Sequence, residues 1–134
     1  MNKNLPIIVA LLGAFSVALG AFAAHGLRSI LSSDTLAVFE TAVRYQFWHV
    51  LALLFVWVCF QNNTNRYARL SALFFLAGIV VFCGSLYLLT YIKYRQLDHL
   101  RWLGAITPVG GLSFIIGWLL LIPAFRKMRS NPNS

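Results

Sequence analysis

Four long apolar runs divide this chain: Leu5–Ala24, Phe47–Phe60, Leu70–Ile92 and Leu103–Phe125. About 20 apolar residues are enough for a helix to cross the hydrocarbon of a bilayer. Runs of this kind leave little else for a chain of 134 residues to be. A soluble domain is about 25% charged, whereas only 10% of these residues are charged and 60% are apolar. The chain therefore reads as an all-α integral membrane protein, a compact four-helix transmembrane bundle in a single domain over residues 1–134. The expected spans are about 5–25, 43–61, 70–92 and 102–125. Too few residues lie outside them for a separate catalytic, nucleotide-binding or nucleic-acid domain.

The first run opens with Lys3, a capping candidate in Asn4, and Pro6 in the first turn. Ala21-Phe22-Ala23 has the small-residue form of a signal-peptide cleavage site, but three further spans favour a retained helix. The segment over about 27–42 is expected at the membrane interface, leading into span two, with Ser33 or Asp34 as its cap. The second run alone is short for a span. Extending it to Val43 brings Arg44 and Gln46 toward the membrane, with His49 about 7 Å deeper along the axis.

The net charge is +8. Its basic residues are scattered over tails and short loops, which fits topology and anionic headgroups and excludes a nucleic-acid partner. With four spans both termini share a side. That side holds Lys3, Arg66, Arg69, Arg126, Lys127 and Arg129, six basic residues against five (Arg28, Arg44, Lys93, Arg95 and Arg101) on the other. The count leans toward cytoplasmic termini. Tyr87, Tyr91, Tyr94 and Trp102 flank the third connection as an aromatic belt. Cys59 and Cys83 lie within apolar runs and have the character of apolar filling.

Helices in lipid associate through small residues and interhelical hydrogen bonds. Ser16, Gly20 and Ala24 form one such stripe on span one, and Ala10, Ala14 and Ala18 a second, so that span is expected to be central. Gly84 on span three, and Gly110, Gly111 and Gly117 on span four, are further packing candidates. Pro108 lacks an N–H and crowds the preceding turn, so Thr107-Pro108 reads as a kinked or locally open segment.

Intramembrane polar residues are functional candidates by default. His25, Arg44, Tyr45, Gln46 and His49 form one candidate group toward one membrane face, and Ser85, Tyr87, Thr107 and Pro108 extend it. The alternative is a purely structural role, with Arg44 reaching for headgroups and the others tying helices together. No cofactor is expected. His25 and His49 invite a haem or metal, but zinc takes three or four protein ligands and no Cys-x-x-Cys-His attachment is present. Neither a Ser-His-Asp arrangement nor a phosphate-binding glycine loop supports an enzyme.

The pieces Gly20-Ala21-Phe22-Ala23-Ala24-His25-Gly26-Leu27, Thr41-Ala42 and Tyr45-Gln46-Phe47-Trp48-His49 carry a resemblance. So do Phe82-Cys83-Gly84-Ser85-Leu86-Tyr87, Thr107-Pro108-Val109-Gly110-Gly111, Phe114 and Gly117-Trp118. In this order they resemble the YgdD-like inner-membrane proteins of bacteria, domain-of-unknown-function family 423, which has small eukaryotic relatives. The resemblance covers nearly the whole chain. It implies about four transmembrane helices in the bacterial cytoplasmic membrane, and the family carries no assigned biochemical activity that could be transferred to this chain. The function expected is that of an accessory or structural component acting through helix contacts, with itself as a homo-oligomer or with a larger membrane protein. The alternatives are a small oligomeric channel or carrier for an ion or anionic solute, and a lipid-binding protein at the interface. Membrane lipids are expected partners in each case.

Overall fold

A computed structural model describes residues 3–62 and 65–130. Helix α1 covers Leu5–Phe22 and runs on through a π-helical turn, Ala23–Leu27. After a short connection α2 runs unbroken over Ser33–Phe60. Helix α3, Arg66–Gly78, continues through a second π-helical turn, Ile79–Cys83, into α4, Gly84–Tyr94. A 3-10 segment, Asp98–Ile106, leads into α5, Thr107–Ser130. Among the described residues four continuous helical stretches are long and apolar enough to cross a membrane: Leu5–Leu27, Ser33–Phe60, Arg66–Tyr94 and Trp102–Arg129.

The caps show how local chemistry sets these boundaries. Helix α1 has Pro6 in its first turn, where a missing N–H costs nothing, and the Asn4 side chain makes no capping bond to it. The cap of α2 is Ser32, one residue before the expected pair: its hydroxyl oxygen accepts from the Thr35 backbone N–H at 3.3 Å. Asn65 caps α3, its Oδ1 accepting from the N–H groups of Tyr67 at 3.0 Å and Ala68 at 3.4 Å.

Helix α2 is the central element, packing against α1, α3, α4 and the second π-turn. This corrects the expectation for α1, which lies at the periphery and packs mainly on α2. Ser16 is buried and Gly20 faces Val43, so these two stripe positions meet α2 as expected. Ala24 does not: it is exposed, and Ala23 and Leu27 are buried instead. A strict four-residue repeat precesses about 40° per step on a 3.6-residue helix, whereas alternating steps of four and three stay on one face. The second stripe, Ala10, Ala14 and Ala18, is exposed together with Ala21. By helical geometry it lies opposite the face that meets α2.

The tightest seam joins α3 and its π-turn to α5. Phe114 of α5 covers Gly78, Phe75 of α3 covers Gly117, and Gly110 meets the backbone of Phe82. A Cβ at Gly110 would come within 2.6 Å of the Phe82 Cα. The buried core around this seam includes Leu53, Val56, Phe60, Cys83 and Ala124. Gly111 makes only ordinary contact with the Phe82 ring, and Gly84 has open space where a Cβ would stand. Gly84 is therefore not a packing contact within the bundle. It sits one residue, about 100° of helix rotation, from buried Ser85.

The Thr107-Pro108 segment also differs from expectation. Thr107 is the first residue of α5 and Pro108 lies in its first turn, so the proline starts an α-helix instead of kinking one. The Gly104 carbonyl accepts the backbone N–H of Thr107, a 3-10 bond that occupies the acceptor near the proline.

Candidate functional site

The helices bring six of the polar candidates into the bundle and leave three outside. Gln46, on the face of α2 turned toward α1 and α4, is only 2% exposed. Its Nε2 donates to the Ser16 hydroxyl at 2.9 Å and more weakly to the Leu12 carbonyl at 3.4 Å. Ser16 donates in turn to the Leu12 carbonyl at 2.8 Å. On the other side the Tyr87 hydroxyl donates to Gln46 Oε1 at 3.0 Å. One amide thus links three spans, and the Tyr87 ring packs on Phe39 with centroids 5.1 Å apart.

His49 lies one helical turn further along α2, 6% exposed, and joins it to α5. Its ring is stacked on Phe114, with centroids 3.5 Å apart and planes at 12°. The indole N–H of Trp118 donates to His49 Nε2 at 3.3 Å. An indole can only donate, so Nε2 is the unprotonated nitrogen. Nδ1 then carries the hydrogen and donates to the Tyr45 carbonyl at 2.8 Å. The neutral imidazole has both nitrogens engaged. Tyr45 itself is half-buried, its ring against Phe82 at 4.9 Å and Trp48 at 5.4 Å.

A third contact ties α4 to α5. Ser85 donates its hydroxyl hydrogen to the Phe82 carbonyl at 2.8 Å. Its oxygen therefore accepts the Thr107 hydroxyl hydrogen across the 2.7 Å contact between them.

His25, Arg44 and Pro108 are exposed and take no part in this network. His25 sits on the π-turn that ends span one, and Arg44 points outward from α2. Among the described residues no three His, Cys, Asp or Glu side chains come together as a metal would require.

Several contributors lie outside the residues picked from sequence. Trp118 and Phe114 complete the surroundings of His49. Asn65, fully buried, donates from Nδ2 to the Ala124 carbonyl at 2.8 Å while its Oδ1 caps α3. Ser71 donates to the Gly117 carbonyl at 2.8 Å. Asn65 had a local sequence signal, its place before the first turn of α3, and Phe114 and Trp118 entered only among the residues that carry the family resemblance. The partners of Trp118 and Ser71 are 69 and 46 residues away, beyond any local pattern. Among the described residues no buried side-chain nitrogen or oxygen lacks a partner. Gln46, His49, Ser85 and Thr107 thus direct their hydrogen bonds at one another or at neighbouring groups within the bundle.

The family model described as "Protein of unknown function (DUF423)" matches residues 19–111. The chain belongs to the DUF423 family. That match takes in the Gln46 amide, His49 and the Ser85–Thr107 contact. Among curated relatives, a UPF0382 membrane protein of Haemophilus influenzae is 43% identical over 96% of this chain and 98% of its own length. A UPF0382 membrane protein of Staphylococcus haemolyticus is 46% identical over 87% of this chain and 89% of its own. The UPF0382 inner membrane protein YgdD of Escherichia coli K12 is 40% identical over 96% of this chain and 94% of its own. No solved structure matches the chain. This DUF423 chain is a multi-pass protein of the cytoplasmic (inner) membrane.

Proposed function

We propose that this DUF423 protein is an accessory component of the membrane, acting through helix contact with a larger membrane protein or with a second copy of itself. One observation carries the reading. Helix α1 is peripheral, and the face it turns away from α2 is a stripe of exposed alanines, Ala10, Ala14, Ala18 and Ala21. Small residues allow backbones to approach closely in lipid, where van der Waals packing drives association. The polar cluster supports the same reading, because the hydrogen bonds of Gln46, His49 and Ser85 are directed at neighbouring helices and at the backbone. A carrier would need some of them free for its solute. The reading has no place for a haem or a metal, since His49 uses both ring nitrogens inside the bundle. It sets both termini in the cytoplasm, on the lean of the basic residues.

The test is native mass spectrometry of the full chain, gently extracted from its own membrane. The expected result is a stoichiometric complex, with a larger protein or a second copy, that Ala14→Leu with Ala18→Leu dissociates while the monomer stays folded. A wild-type monomer under the gentlest extraction, or a complex indifferent to those two leucines, would overturn it.

A further inference from the structure

Where α1 ends and α2 begins, the two helices leave a cleft of about 560 Å³. Arg28, Leu31, Ser33, Leu36, Ala37 and Glu40 are among its lining residues. Ser33, Leu36, Ala37 and Glu40 follow helical spacing on one face of the first two turns of α2, and Arg28 reaches the cleft from the connection that precedes them. Arg28 and Glu40 are both exposed and are not closed into an ion pair with each other. The cleft thus offers one cation and one anion around an apolar wall.

Its depth follows from helix length. The 28 residues of α2 extend about 42 Å, against about 30 Å of hydrocarbon and about 40–45 Å with headgroups included. The last 20 residues of α2, Thr41–Phe60, extend about 30 Å and match the hydrocarbon. The turns from Ser33 to Glu40, which carry Asp34 and Glu40, then stand among the headgroups.

We propose that this cleft binds the headgroup of an aminophospholipid, phosphatidylethanolamine, from the surrounding leaflet. Arg28 pairs with the phosphate, assisted by the Ser33 hydroxyl and the positive end of α2. Glu40 accepts the N–H groups of the primary ammonium. Leu31, Leu36 and Ala37 cover the glycerol and upper acyl carbons. The pairing of signs selects the lipid. Phosphatidylglycerol satisfies Arg28 but sets its net negative charge against Glu40. Phosphatidylcholine has no N–H to give a carboxylate. The assignment is independent of the alanine face of α1.

The experiment places the full chain in nanodiscs of phosphatidylcholine doped with equal amounts of phosphatidylethanolamine and phosphatidylglycerol, all with the same acyl chains. Lipids retained on release are counted by native mass spectrometry. Wild type is expected to retain phosphatidylethanolamine over both others. Arg28→Gln and Glu40→Gln are each expected to lower that enrichment roughly threefold, as suits single exposed charges. Glu40→Gln additionally shifts selectivity toward phosphatidylglycerol. Ala37→Trp, which fills the cleft without changing charge, is expected to remove the retained lipid. Arg66→Gln with Arg69→Gln, on the opposite membrane face, leaves the enrichment intact. No selective retention by wild type, enrichment surviving both the Arg28 and Glu40 changes, or enrichment lost only in the Arg66/Arg69 variant would overturn the assignment.

Discussion

The imidazole of His49 lies flat against the ring of Phe114, with 3.5 Å between centroids, and Phe114 in turn covers Gly78 on α3. Three spans therefore meet at one stack. Trp118 holds the imidazole from the side by its indole N–H, so the histidine is fixed in plane and in tautomer. A side chain held in this way is a packing element with polar edges.

His49→Leu keeps apolar volume but removes the stack and the indole bond. An interhelical hydrogen bond in lipid is worth about 0.6 kcal/mol and an aromatic pair about 0.5–1.5 kcal/mol. The variant is expected to lose about 1–2 kcal/mol of stability by SDS-titrated unfolding in mixed micelles, with Trp118 fluorescence changing at the same time. A bound chromophore or metal ion present in wild type and missing from this variant would give His49 a role beyond packing.

The spans were legible in the sequence because four apolar runs in so short a chain admit few other structures. Which face of each span points inward was less so, for a physical reason. Lipid tails are as apolar as leucine, so hydropathy does not separate a lipid-facing residue from a buried one. Span one carries two small-residue stripes, and nothing local says that Ser16 and Gly20 face α2 while Ala10, Ala14 and Ala18 face outward. The polar candidates were visible as expensive intramembrane groups. Their sorting into Gln46 and His49 inside and His25 and Arg44 outside depends on helix rotation and on partners far along the chain. Trp118 and Ser71 were missed for that same reason.

The glycines give a sharper contrast. Gly110→Ala drives a Cβ into the backbone of Phe82, which has no rotamer to move out of the way. The expected cost is about 3 kcal/mol, the upper end for overpacking. Gly84→Ala meets open space within the bundle and replaces a poor helix former, so it is expected to stabilise by about 0.5–1 kcal/mol. Comparing the two melting temperatures in detergent checks the seam directly. Equal tolerance of both alanines would contradict the Gly110–Phe82 contact.

Asn65 does two jobs that substitution can separate. Its Oδ1 caps α3, and its Nδ2 reaches across to the Ala124 carbonyl of α5. Asparagine and aspartate are equivalent caps. Were capping the whole role, Asn65→Asp would be close to neutral. Aspartate has no donor for Ala124, however, and would set a carboxylate oxygen against that carbonyl. Asn65→Asp is therefore expected to destabilise by about 2 kcal/mol, as much as Asn65→Ala. Thermal unfolding of both variants beside wild type decides between the roles.

The Gln46 amide separates a structural from a transporting reading of the polar cluster. Its oxygen takes the Tyr87 hydroxyl and its nitrogen serves Ser16 and, more weakly, Leu12, so both of its donors are engaged inside the bundle. In a double-mutant cycle, Gln46→Leu and Tyr87→Phe are expected to couple by about 0.6 kcal/mol, the mean for polar pairs between membrane helices. Arg44→Gln, at an exposed position, is expected to stay within about 0.5 kcal/mol of wild type. Liposomes carrying wild type, Gln46→Leu or Arg44→Gln should then show the same background leak of small anions. Flux present with wild type and abolished by Gln46→Leu, in a variant shown to be folded, would mean that the amide meets a solute during a transport cycle. The bundle would then have to open between α2 and α4, because that is where Tyr87 closes on Gln46.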